Sequence, residues 1–169
     1  MKYLIASARS GSSAFEKYLQ ELMPLEKVKK VLIHQFPKNY NNMWEYGEDI
    51  LKRFPNSFLL DRKDKQAQAE SLAFRKIKYE DNYQHYHYKE YYDNLDSNVV
   101  NECKRYFEDH SEVLIGLSLK YDKNLLYYED ILSESYLRDL NIYNKELYNK
   151  FLHPKHKERL FVKQQKTLT

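Results

Sequence analysis

Three short stretches of this 169-residue chain carry side chains able to do chemistry at one site: Arg9-Ser10-Gly11-Ser12-Ser13, His34 and Arg62. The first joins a fixed cation, three hydroxyls and a glycine just ahead of a segment in which Phe15, Tyr18, Leu19, Leu22 and Met23 share one helical face. A helix starting inside this loop presents unpaired N–H groups at the positive end of its dipole, and Gly11 lets an anion approach the backbone. Ser13 and Glu16 have capping-box spacing, which sets the helix start within the loop. The chemistry implied is capture of a phosphate-sized anion. Two familiar phosphate loops are excluded, because no Gly-Lys-Ser/Thr completes the stretch and the only cysteine is Cys103. Serines also cap ordinary helices, so the loop alone does not decide the matter.

The elements around these residues make the case stronger. Short apolar runs at 3–6, 31–34, 58–61 and 125–128 read as strands. Between them lie helical patterns: Phe15 to Met23, Met43 to Phe54, a polar helix over 64–78, and a long stripe of Val100, Cys103, Phe107, His110, Leu114, Leu117 and Tyr121. Strands alternating with helices imply an α/β fold of three layers, with a small parallel sheet of about four strands flanked by helices. Arg9, His34, Arg62 and Tyr128 then each fall at or just past the C-terminal end of a different strand, the edge where such sheets bind ligands.

Length implies one domain over residues 1–169. Residues 81–96, rich in Tyr and His, read as a lid or acceptor-binding segment, and 154–169 as a basic tail. A net charge of +3 favours anionic ligands without calling for nucleic acid. One cysteine excludes an internal disulfide and suits a reducing cytoplasm, and no apolar run is long enough for a signal peptide or membrane span.

At this point the sequence resembles the sulfotransferases that use 3′-phosphoadenosine 5′-phosphosulfate (PAPS), over roughly residues 1–131. Arg9-Ser10-Gly11-Ser12-Ser13 is similar to the family's loop for the 5′-phosphosulfate. Arg62, with Ser71 nine residues on, is similar to its 3′-phosphate motif, the bacterial branch above all, and Tyr128-Glu129-Asp130 to a later strand end with its Tyr near the adenine. The resemblance implies a P-loop-like topology and PAPS as donor, leaving adenosine 3′,5′-bisphosphate, with no metal and a carbohydrate or small-molecule hydroxyl or amine as acceptor. It implies that Arg9, Ser10, Gly11, Ser12, Ser13, Arg62, Ser71 and Tyr128 hold the donor, with Arg9 also neutralising the leaving oxygen. Val31 to Pro37 is similar to the strand end where cytosolic members carry a catalytic His, which makes His34 the general base and Glu26 or Glu45 the fallback. Its imidazole titrates near neutral pH, as a base should.

The chain departs from that family in three ways. Ala14 stands where many members have an adenine-stacking Trp, the C-terminal Arg-Lys-Gly loop is missing, and the short length leaves room for a partner copy, as in a homodimer. Lys155, Lys157 and Arg159 are candidates to replace that loop, and a solvated tail is the plainer reading. A non-catalytic phosphonucleotide-binding or interaction module is the alternative function, and a nucleotide-kinase relative lacks its P-loop lysine. The remaining candidates read as structure: His110 as a satisfied core histidine, Cys103 as packing, Trp44 as core or cleft wall. Glu129 and Asp130 read equally as helix caps or ligands. His85-x-His87 finds no further metal ligand at recognisable spacing.

Overall fold

A computed structural model describes residues 1–80 and 95–157, without the side chains of 75–80. All but the end of the expected lid, together with His85, His87, Arg159 and residues 158–169 of the basic tail, therefore lies outside the described residues. In chain order the elements are β1 (Lys2–Ala6), α1 (Ser12–Leu22), β2 (Val28–Leu32), α2 (Met43–Arg53), β3 (Phe58–Asp61), α3 (Lys65–Glu80) and α4 (Ser97–Lys120). There follow β4 (Leu125–Tyr127), α5 (Tyr128–Ile131), α6 (Glu134–Asp139) and α7 (Lys145–Leu147), which runs into a π turn at Tyr148–Leu152. Residues 153–157 continue as helix, so the region expected to begin a tail is folded at its start.

The four strands form one parallel sheet in the order β2-β1-β3-β4, with Ala6 level with Leu32 on one side and Leu60 on the other. Alternation along the strands divides the core. Leu4, Ala6, Leu60 and Leu126 face Phe15, Tyr18 and Leu19 of α1 and the C-terminal helices. Ile5 and Leu59 face Ile50 and Leu51 of α2 and Leu114 and Leu117 of α4. The fold is α/β, with helices on both faces of the sheet.

This winding makes a switch point. From β1 the chain crosses by α1 to β2 on one side; from β3 it crosses by α3 and α4, over the other face, to β4 on the opposite side. The connections leaving β1 and β3 diverge, which opens a crevice at the C-terminal ends of those two neighbours. Into it run the segment from Ser7 to Gly11 and the segment from Arg62 to Asp64.

Two local expectations are corrected. The second strand begins at Val28, not Val31, and ends at Leu32. Its lysines disguised it: as the sheet's edge strand it can carry Lys29 and Lys30. His34 accordingly stands in the turn beyond the strand, where Gln35 N donates to Leu32 O (2.9 Å). The Ser13–Glu16 capping box is also absent. Gly11 is the N-cap, without a side-chain cap, and Glu16 instead accepts from Lys30 N (2.9 Å). Four residues on, Gln20 donates to Val28 O (3.0 Å), so α1 covers backbone groups along β2.

Candidate functional site at the sheet's C-terminal edge

The loop after β1 is fastened from beneath by a buried carboxylate. Asp61, the last residue of β3 and 1% exposed, accepts from Ser7 Oγ (2.8 Å), from Lys65 Nζ (2.9 Å) and from Ser111 Oγ. Gln68, wholly buried, donates to Ser7 Oγ (2.9 Å) and to Ala8 O (2.6 Å). Ser10 Oγ donates back to Ser7 O (2.6 Å), so this hydroxyl braces the loop and its proton is not offered to an anion. That is a correction to its reading as a donor. Three elements, β3, α3 and α4, thus fix the loop that α1 continues.

Above this base the backbone turns sharply. Arg9 has φ 57° and Gly11 φ 72°, both left-handed. At Gly11 an added Cβ would fall well inside contact distance of the Tyr128 ring, so only glycine fits. The first bond of α1 runs from Phe15 N to Gly11 O (3.2 Å), leaving the amides of Ser12, Ser13 and Ala14 without acceptors in the helix. Ser12 is buried, and exposed Ser13 accepts from Lys30 Nζ (2.7 Å). Lys30 therefore brings a second cation to the start of the helix.

The residues expected to hold the donor's two ends meet one another. Arg9 Nε donates to Ser71 Oγ on α3 (2.9 Å), and Arg62 Nη1 donates to Arg9 O (3.2 Å). Ser71 thus contacts Arg9 as its first partner here, with Arg62 joined to the same residue through the backbone. Arg62 also lies over the Tyr128 ring at 4.8 Å, and its Nε is 3.9 Å from Glu129 Oε1. Glu129 accepts from Lys63 N (2.9 Å) and Asp64 N (3.3 Å), and Asp130 pairs with Lys63 Nζ (2.8 Å). These carboxylates hold the loop after β3 and do not cap the helix that follows. Tyr128, 8% exposed, is built into the support beneath Gly11 and Arg62, which leaves little ring face for an adenine.

His34 occupies a second pocket, between the turn after β2 and helix α4. Its ring stacks on His110 with centroids 5.3 Å apart and planes at 6°, and Tyr106 meets it edge-on at 5.7 Å. Nδ1 of each imidazole is buried and has no hydrogen-bond partner among the described residues, so His110 is not the satisfied core histidine expected. Burial lowers the pKa of His34 below its ordinary value and that of His110 to about 4. Both are neutral at pH 7.

The fallback bases fare differently. Glu26 lies beside Lys2 (3.7 Å) at the start of β1, on the opposite edge of the sheet, which removes it from this site. Glu45 begins α2 on the correct edge, but Asn41 donates to it from backbone and side chain and holds its carboxyl below the usual range.

No family model, no curated protein and no solved structure matches this chain. Its chemistry must be read from its own residues. Sequence reasoning passed over Ser7, Lys30, Asp61, Lys65, Gln68 and Ser111. One signal was present for two of them, since Asp61 and Lys65 are a carboxylate and an amine four residues apart at the end of an apolar run. Among the described residues no helix is long and apolar enough to cross a membrane.

Proposed function

We propose that this chain is a sulfotransferase moving a sulfuryl group from PAPS to a hydroxyl or amine of a carbohydrate or small-molecule acceptor. The observation that carries the reading is the convergence of Arg9, Arg62 and Ser71 beside the open amides of α1, at the switch point between β1 and β3. Two guanidinium groups and a helix start form a setting for a ligand with two separated anionic groups.

In this reading the N–H groups of Gly11, Ser12 and Ser13, with Arg9, hold the 5′-phosphosulfate, while Arg62 and Ser71 serve the 3′-phosphate. The acceptor oxygen attacks sulfur, the bond from sulfur to the bridging oxygen breaks, and adenosine 3′,5′-bisphosphate leaves. His34, neutral at working pH, takes the acceptor's proton. Arg9 meets the charge that grows on the leaving oxygen, so it acts most strongly in the transition state. The sulfuryl group is already activated in the donor, and the chain's part is to align it and neutralise charge. A reducing cytoplasm suits a protein whose one cysteine is the buried Cys103.

Calorimetry with adenosine 3′,5′-bisphosphate, and separately with ATP and Mg²⁺, tests the reading. Metal-independent binding of the bisphosphate is expected; preference for ATP with Mg²⁺ sinks it. Arg62→Ala should cost about 2–4 kcal/mol of bisphosphate affinity and little of AMP affinity, because a charge-assisted pair is lost only with the former. Bisphosphate binding without transfer to any acceptor would favour the non-catalytic module.

A further inference from the structure

A histidine that works as a base is usually oriented by a hydrogen bond from its second nitrogen to a carboxylate or carbonyl. His34 has no partner at Nδ1 among the described residues. What it has is a ring. His110, 1% exposed on α4, lies parallel to it, and Tyr106, one turn earlier on the same helix, meets His110 edge-on at 4.0 Å and His34 at 5.7 Å. Phe107 meets His110 edge-on at 5.8 Å. Next on the helix, Ser111 bonds Asp61, which ties the same helical turn to the anion loop through Ser7.

We propose that His110 is a positioning residue: its ring, braced by Tyr106 and Phe107, fixes the plane of the His34 imidazole and shields one of its faces from water. The proposal rests on the reading of His34 as the general base. Ring contact replaces the usual hydrogen bond, and the flat, dry stack suits a base that must stay neutral until the acceptor's proton arrives.

The charges facing the pair leave His110 no acid–base role of its own. Asp61 on β3 favours its protonation, while Lys65 on α3 and His34 oppose it, and burial outweighs all three. His34 is met by His110 and Tyr106 from α4. Of the two rings, His110 is the more deeply buried.

The test compares His110→Phe, which keeps a flat ring, with His110→Ala, which removes it. In each, the imidazole of His34 is titrated by NMR, with its signal assigned from His34→Gln, and the single-turnover rate is measured at saturating donor. His110→Ala should move the His34 titration up toward the ordinary value and cut the rate about 10–100-fold, the range a misplaced catalytic group produces. Affinity for adenosine 3′,5′-bisphosphate should change less than about twofold, since no donor contact is touched. His110→Phe should keep the wild-type titration and stay within about threefold of its rate. The inference is overturned if His110→Ala leaves the titration unchanged, or if His110→Phe loses as much rate as His110→Ala. Should His110→Ala fail to fold, Tyr106→Ala at a partly exposed position supplies the same titration test and should also shift His34 upward. Failure of the wild type to bind the bisphosphate would count against the donor reading alone, because the titration still decides whether the stack controls His34.

Discussion

The two pockets at the sheet's C-terminal edge are built on opposite terms. Beneath the anion loop the polar atoms are densely partnered: Asp61 takes hydrogen bonds from three residues, Gln68 gives two, and Glu129 receives two backbone amides. Around His34 the contacts are rings, and two imidazole nitrogens are buried without partners among the described residues. The difference fits the task proposed for each. Holding an anion requires donors fixed in advance, which a closed hydrogen-bond network provides. Holding a base in one plane requires walls against its ring, which the stacked and edge-on rings provide.

The largest expected effect probes the first pocket. Asp61→Ala removes the carboxylate that neutralises Lys65 Nζ and accepts from the hydroxyls of Ser7 and Ser111, and should cost about 3–5 kcal/mol of stability by urea denaturation. A loss below about 1 kcal/mol would mean the network does not hold the loop. The second pocket responds to acid. His110 has a folded pKa of about 4 against an ordinary 6.5, so its contribution is complete above pH 6.5 and is lost as pH falls toward 4. At about 1.4 kcal/mol per pH unit, the stability lost over that window is about 3 kcal/mol relative to His110→Phe. Parallel stability curves for the two proteins from pH 7 to 4 would refute the dry-pocket description. Gly11→Ala comes next, at about 1–3 kcal/mol from its left-handed backbone and the Tyr128 ring. In a Tyr128→Ala background the penalty should shrink to the backbone part, and an unchanged penalty would show that the ring is not what excludes a side chain there. The smallest effect lies outside both pockets: Glu16→Ala should cost about 0.5–1.5 kcal/mol through the lost bond to Lys30 N, read from the urea midpoint.

The sequence was most legible where local pattern and tertiary demand agree. The run Phe58 to Asp61 is a strand as expected, and the stripe from Val100 to Leu117 does face the core. It misled where one residue answers a distant partner. Glu16 has the spacing of a capping box but is drawn to a strand fourteen residues on, and Lys29 and Lys30 hid an edge strand because an edge tolerates charge. Arg9 and Arg62 were expected on a common binding edge and Ser71 only beside Arg62; the direct bond from Arg9 to Ser71 needs α3 to lie against the loop, which no local signal states. The stack of His34 on His110 was invisible, because two histidines far apart in sequence carry no mark of pairing.

The reach of α1 around β2 also bears on how copies of this chain can meet. Val28 O and Lys30 N are taken by Gln20 and Glu16 of the same molecule, and the neighbouring lysines repel their own kind. At the other end of the sheet, β4 is only three residues long. A foreign strand thus finds at one border a hydrogen-bonding template already occupied and at the other one too short to grip. Among the described residues, neither border of the sheet offers a second copy an open strand to pair with.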